Sequence, residues 1–313
     1  MLTLSLLHPA QQLSLTNWTV HPSTVIGIAA LGALYHWRAR VAERALDTSS
    51  AAAAAAATTQ PRYVRRTGPG GDLPSAAQRA SFFGGLLVLF LSLNGPLHDL
   101  SDYYLFSGHM VQHLLLTLVV PPLLIYGVPG GMLRPVLRKP ALFALAHWTT
   151  RPITCFVVFN LVLTAWHLPP LYNLAMRHHS VHIAQHLMFL SAAVIMWWPY
   201  MSPLPELPRL AYPGQMLYSF LMSLPMSIVA VYIAMADHVL YPAYASAPRV
   251  WGLSPLADQQ LGGLIMWIPG GLFFYGVMTV VFFKWAQRQE DGTAAAQVDW
   301  RPAPAGGSTA GHG

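Results

Sequence analysis

The 313-residue chain has one cysteine, Cys155. That excludes an intrachain disulfide framework and any metal centre built on several thiolates. Charge is scarce too. Asp, Glu, Lys and Arg make up 9% of the residues, against roughly a quarter in soluble domains. The isoelectric point near 9.6 does not point to nucleic acid, because the basic residues lie between apolar runs and form no single patch. No nucleic-acid partner is expected. Residues 1–12 have no basic start and only a short apolar run, so no cleavable signal peptide is expected.

Apolar residues are abundant, at 54% of the chain, with a mean hydropathy of +0.44. Runs close to the ~20 residues needed to cross a bilayer fall at 20–37, 82–97, 108–127, 154–169, 181–198, 216–236 and 261–285. The fold class expected is therefore an all-α integral membrane protein with seven transmembrane helices. Pro121, Pro122, Pro225 and Pro269 lie inside these runs, where neighbouring helices can satisfy the freed carbonyls. The organisation expected is an external segment and first helix (1–38), a disordered Ala- and Arg-rich connector (39–81), a six-helix histidine-rich core (82–285) and a disordered tail (286–313). Of the 17 Lys and Arg residues, all but Arg177 and Arg249 fall on one side of this seven-span map. The positive-inside rule makes that side cytoplasmic, which leaves the amino terminus outside.

Two stretches are near copies: His109-Met110-Val111-Gln112-His113-Leu114 and His182-Ile183-Ala184-Gln185-His186-Leu187. Residues i and i+4 share a helix face about 6 Å apart in rise, so each stretch presents a vertical pair of imidazoles. His98, His167 and His238 map to the same outer face. All seven are candidate metal ligands, and imidazole suits Zn, Cu, Fe and Ni. Asp99, Asp237, Asp258, Gln112, Gln185 and Gln260 are placed to orient the rings. Met110, Met176 and Met188 could add soft ligands for Cu(I), whereas Cys155, Met222, Met226 and Met278 read as packing. His36, His147 and His312 map to the other side. The second to seventh spans further read as three repeated hairpins, marked by His98 with Tyr103 and Tyr104, His167 with Tyr172, and His238 with Tyr241 and Tyr244. Three hairpins of one sense would set their outer ends around a common cleft.

The run Ser107-Gly108-His109-Met110-Val111-Gln112-His113 leads into Pro121-Pro122-Leu123-Leu124 and Gly127-Val128-Pro129. Further on come Trp166-His167-Leu168-Pro169-Pro170-Leu171-Tyr172 and Asp258-Gln259-Gln260-Leu261-Gly262-Gly263. Over residues 82–285 this combination resembles the membrane-integral CtaG-type cytochrome c oxidase assembly factors. The resemblance implies a multi-pass bacterial inner-membrane protein that is no enzyme. Its expected partners are haem–copper oxidase subunits and the lipid bilayer, and its role is to help metal reach the oxidase. An unrelated single-span copper chaperone shares the family's name but carries a cysteine motif that this chain lacks. Copper is the cofactor expected, from the ligand chemistry. Three readings compete: a copper-handling assembly factor, a haem-binding redox or haem-transfer protein, and a His-box metal enzyme. The spacing of residues 178–186 superficially fits the last. Imidazoles one helical turn apart are too close to serve two stacked porphyrins.

The charge map predicts that reporter fusions near Arg66, Lys139 and Glu290 are cytoplasmic and those near Met176 and Ala247 external. An external reporter at Lys139 would break the map.

Overall fold

Proline marks where most of the helices begin. Its fixed φ suits the first turn, and the N–H it lacks would have no partner there. The computed structural model describes residues 18–56 and 71–298, and they are helical almost throughout. In order these are α1 (Pro22–Ala56), α2 (Ala76–Leu93), α3 (Gly95–Tyr103), α4 (Phe106–Leu114), a π-helical turn (Leu115–Val119), α5 (Val120–Gly127), α6 (Gly130–Leu137), α7 (Pro140–Thr149), α8 (Pro152–His167), α9 (Pro169–Arg177), α10 (His179–Met201), α11 (Tyr212–Ala234), α12 (Pro242–Ala245) and α13 (Pro255–Val298). Helix α2 instead starts on a capping box, with Ser75 and Gln78 bonded reciprocally.

Five helical stretches are long and apolar enough to cross a membrane, namely Ala76–Leu93, Phe106–Gly127, His179–Met201, Tyr212–Ala234 and Pro255–Asp291. A sixth is possible if α7 and α8, bent by 72° at their junction, form one span. Of the seven expected spans, five to six meet this test among the described residues. The run at 20–37 lies within α1 but is cut short by His21 and Pro22 at one end and by His36, Arg38 and Arg40 at the other. The run at 154–169 corresponds to α8, only 16 residues long. The 82–97 run also ends early. Gly95 adopts φ +69 and breaks the chain between α2 and α3, so His98 sits on a separate short helix.

Parts of the expected disordered segments are helical. Helix α1 continues through Ala56 and α13 through Val298. Each carries the alanine that has the highest helix propensity. The remainder of the connector, 57–70, and the tail from 299 lie outside the described residues, as do residues 1–17.

The helix of the first histidine pair is the centre of the arrangement. The α4–α5 stretch packs against α2 and α10, while α13 packs against α4 and α11, and α8 links α10 to α11. These contacts close a ring, with α1 and α2 laid on its outside. Tyr35 of α1 stacks on Phe82 of α2 at 4.0 Å and donates to the Gly127 carbonyl. Gly262 and Gly263 let α13 come close: a Cβ at Gly262 would stand 2.4 Å from the Phe106 ring, and one at Gly263 would stand 2.6 Å from the Ala234 nitrogen. The predicted hairpins pair as α2 with α5, α8 with α10 and α11 with α13, and the short helices α3, α9 and α12 form their connectors.

Pro121 and Pro122 explain the π-helical turn. Both lack the N–H that would reach the Thr117 carbonyl in an α- or π-helical pattern. That carbonyl is met instead by the Trp197 indole, whose Nε1–H donates to it at 2.9 Å from α10. Thr117 Oγ1 in turn donates to the His113 carbonyl at 2.7 Å.

Trp197→Phe should therefore leave a buried carbonyl unpaired, at a cost of ~1–3 kcal/mol. Thermal unfolding in detergent should show a lowered Tm, and Trp148→Phe, at an exposed position, should leave it unchanged.

Candidate metal centre

Helix α4 is fixed by a carboxylate from the far end of the chain. Asp258, buried in the first turn of α13, accepts from the Phe106 and Ser107 backbone N–H groups at 2.7 and 3.1 Å and from Ser107 Oγ at 2.5 Å. An anion there satisfies orphan N–H groups and matches the positive end of the helix dipole. It also sets the rotation of α4, which carries His109 and His113.

The two histidine pairs converge. Ring centroids lie 4.2 Å apart for His109 and His113, 4.5 Å for His182 and His186, and 5.6 Å for both His109–His182 and His113–His186. His167 joins at 5.9 Å from His113. Donor atoms of His109, His182 and His186 all fall within 4.8 Å of one another. That is wider than the ~3.4 Å edge implied by metal–nitrogen bonds of about 2.0–2.1 Å in a tetrahedron, so binding would draw the rings inward.

Hydrogen bonding assigns the tautomers. The His167 Nδ1 lies 2.7 Å from the Leu163 carbonyl, which can only accept. The His182 Nδ1 faces the Asp102 carboxylate at 3.4 Å. The Tyr244 hydroxyl donates to the Ser101 carbonyl at 2.7 Å, so the His109 Nδ1 beside it, at 3.3 Å, is the donor of that pair. In each ring the lone pair is thus left on Nε2. The Nε2 atoms of His109, His167, His182 and His186, and both nitrogens of His113, are buried with no partner in the protein. An unpaired buried polar atom costs roughly 1–3 kcal/mol, and native interiors hold few of them. Five histidines with such atoms stand in one place, and three of them, His109, His182 and His186, are close enough together that they could hold a metal ion.

The surrounding groups hold this set in position. Tyr172 and Tyr244 share a hydrogen bond at 3.0 Å, and Tyr241 donates to the His167 carbonyl at 2.8 Å. The three connectors α3, α9 and α12 therefore meet at the cluster. Burial pushes the Tyr172 and Tyr244 phenols well above their ordinary range, keeping both protonated. Asp102 faces His98 at 3.5 Å as well as His182. Burial alone would raise its carboxyl, but His182, then His98, His109 and His186, outweigh that and hold it below the usual carboxylate range.

The other expected residues divide. His98 stands one step out, between Asp102 and Gln112, whose Nε2 lies 3.4 Å from its ring and donates to the Ser92 carbonyl at 2.6 Å. The Gln185 amide is buried beside the second pair with neither end bonded. Asp99 accepts from Thr19 Oγ1 at 2.5 Å. His238 and Asp237 pair with each other at the surface, outside the cluster. Gln260 donates to the Ala236 carbonyl, a bond between α13 and the end of α11. Asp258 serves the helix terminus described above rather than an imidazole. Met176 lies against Tyr244, and Met188 is exposed. Two contributors were missed as site residues in the sequence. Asp102 lies one turn beyond His98 on α3, and His21, 4.5 Å from His98 by ring centroids, comes from outside the resembling core.

A model of the cytochrome c oxidase caa3 assembly factor family matches residues 56–288. Among curated proteins the chain is similar to uncharacterized proteins of Mycobacterium bovis and Mycobacterium tuberculosis. Each is 28% identical over 211 residues, which cover 62% of this chain and 32% of the relative. An uncharacterized protein of Mycobacterium leprae is 25% identical over 253 residues, or 76% of this chain and 38% of its own. The chain spans about a third of the length of these curated relatives. No solved structure matches it.

Asp102→Asn keeps the shape and removes the charge that orients His182. Metal affinity, measured by competition titration, should fall 10–100-fold with helicity retained. A depressed carboxyl contributes stability above its unfolded value near ~4 and loses it as pH falls through the folded value. Acid should therefore lower the Tm of the wild type more steeply than that of the Asn variant.

Proposed function

The chain belongs to the cytochrome c oxidase caa3 assembly factor family, and from that membership we propose that it binds copper through its converging imidazoles and helps deliver it to the oxidase. The observation that carries this reading is the set of buried, unpartnered ring nitrogens on His109, His113, His167, His182 and His186. They are aimed at one another, and those of His109, His167 and His182 are fixed as lone-pair donors from behind. His109, His182 and His186 would be the principal ligands, with His113 and His167 beside them. Imidazole ligands without thiolates suit a site that must release its ion as well as hold it.

The neutral Tyr244 phenol and the anionic Asp102 divide the work of orientation. One accepts from His109 and the other faces His182 Nδ1 at 3.4 Å. A carboxylate beside the site also offsets part of the charge of a bound cation. In this reading the cluster lies at the external face of a bacterial inner membrane, the side the positive-inside rule gives it when α7 and α8 together form one span, and oxidase subunits are the recipients. The haem alternative is disfavoured by spacing, since imidazoles one helical turn apart are too close to serve two stacked porphyrins and a single bis-histidine haem would leave half of the paired motif unused.

Replacing His109, His182 or His186 with alanine should remove the copper held by these three imidazoles from the purified protein while leaving it inserted and folded. Cells carrying these variants should accumulate oxidase that has haem but lacks copper, and added copper should partly restore activity by mass action. His36→Ala and His147→Ala, at exposed positions remote from the cluster, should do neither. Normal oxidase in the His186→Ala strain under copper limitation would sink the proposal.

A further inference from the structure

Below the imidazole triad, on the side away from Asp102 and Tyr244, lies a small cavity with an unusual lining. Its volume is about 20 Å³, and around it stand Met110, Met226, Met266, His113 and His167 among apolar side chains. The three thioethers come from α4, α11 and α13, and every one of the five residues is at most 5% exposed. Methionine alone in a helical core is ordinary filler. Two further observations set this group apart.

The first is that His113 and His167 line the cavity with three unpartnered nitrogens between them, Nδ1 and Nε2 of His113 and Nε2 of His167. A purely packed apolar void would leave these polar atoms unsatisfied for no return. The second is the face of α13. Gly262, Met266 and Gly270 follow at intervals of four, one above another on the helix. A Cβ at Gly270 would stand 2.8 Å from Met226 Cε and 3.2 Å from its sulfur, and one at Gly262 would stand 3.2 Å from Met110 Cγ. Two glycines thus clear the space into which Met226 and Met110 reach, on either side of Met266.

We propose that Met110, Met226 and Met266, with His113 and His167, form a second metal site specific for a cuprous ion, seated beneath the triad of His109, His182 and His186. Thioether and imidazole together select Cu(I) over harder divalent ions. The absence of a carboxylate from the lining points the same way. Desolvation cost rises with the square of the charge, so an all-neutral shell in an apolar interior accommodates a monovalent ion far more readily than a divalent one. His113 belongs to both sites. Its ring lies 5.6 Å from that of His186 and 5.9 Å from that of His167; as a neutral imidazole it has one lone pair, so it serves an ion on one side or the other, according to which nitrogen carries the proton.

This inference rests on the copper reading, and its test separates the two. Full-length protein in detergent, loaded with Cu(I) under anaerobic ascorbate, should retain two ions per chain. Copper K-edge absorption should show sulfur scatterers close to the ~2.3 Å typical of metal–sulfur bonds alongside nitrogen. Met226→Leu and Met266→Leu conserve volume and should fold. Each should retain one ion, ligated by nitrogen alone. His186→Ala should keep the sulfur-ligated ion and lose the other. If wild-type copper is bound only through nitrogen and is lost in His186→Ala, the second site is wrong and the copper reading stands. If the wild type retains no copper, both fall.

Discussion

A polar atom inside an apolar helical bundle must find its partner within the chain or in something bound to it, because no bulk water reaches it. Most of this protein's interior obeys that constraint through long-range bonds. Asp258 of α13 takes up the first N–H groups of α4, and the Trp197 indole takes up the carbonyl that Pro121 and Pro122 abandon. Gln259 does the same for the Leu240 N–H at 2.6 Å. Among the buried polar atoms left unpaired, which include the Gln185 amide and the Asn160 and Asn173 amide oxygens, the imidazole nitrogens form the largest group. Five neighbouring histidines keep buried nitrogens unpaired, while the opposite nitrogens of His109, His167 and His182 are held in place.

Those same long-range bonds determine where the imidazoles meet. Asp258 sets the rotation of α4, and Asp102 holds the ring of His182 on α10. The tyrosines of α9 and α12 bridge between the connectors and fix His109 from above. Phe106 ties this layer to the core, stacking on Tyr241 at 4.6 Å where Gly262 leaves room for its ring. Rigidity here serves ligand placement, since a metal site tolerates little slack in the side chains that build it.

Under the proposed role in copper delivery, the site must also let its ion go. Neutral imidazoles and thioethers bind copper without the grip of a thiolate cluster, and the single cysteine, Cys155, lies buried in the hydrophobic core near the start of α8, bonded to the Thr149 carbonyl. Two adjoining positions sharing His113 would allow an ion to change partners by one ligand at a time. Each step would then cost less than complete release into an apolar interior.

The sequence by itself determined the membrane class, the helical hairpins and the identity of the paired histidines. Those features are local: hydropathy over a window, and i, i+4 spacing on one helix. It also carried the family resemblance, in motifs whose residues turn out to serve several different ends. Only the tertiary structure decided which polar residues share a site. Asp258 and Gln260 looked like attendants of the metal but bind backbone groups at helix ends, and His238 faces the surface with Asp237. Asp102 became central although no spacing rule singles it out, Tyr244 turned from a marker of the repeat into the partner of His109, and Met226 moved from filler to the wall of a cavity. The number of spans also escaped a reading by window, because α1 is interrupted by polar residues and α7 meets α8 at a sharp bend. The physical reason is common to all of these cases. Contacts between residues such as Ser101 and Tyr244, 143 positions apart, are fixed by how helices pack, and neither composition nor periodicity encodes that directly.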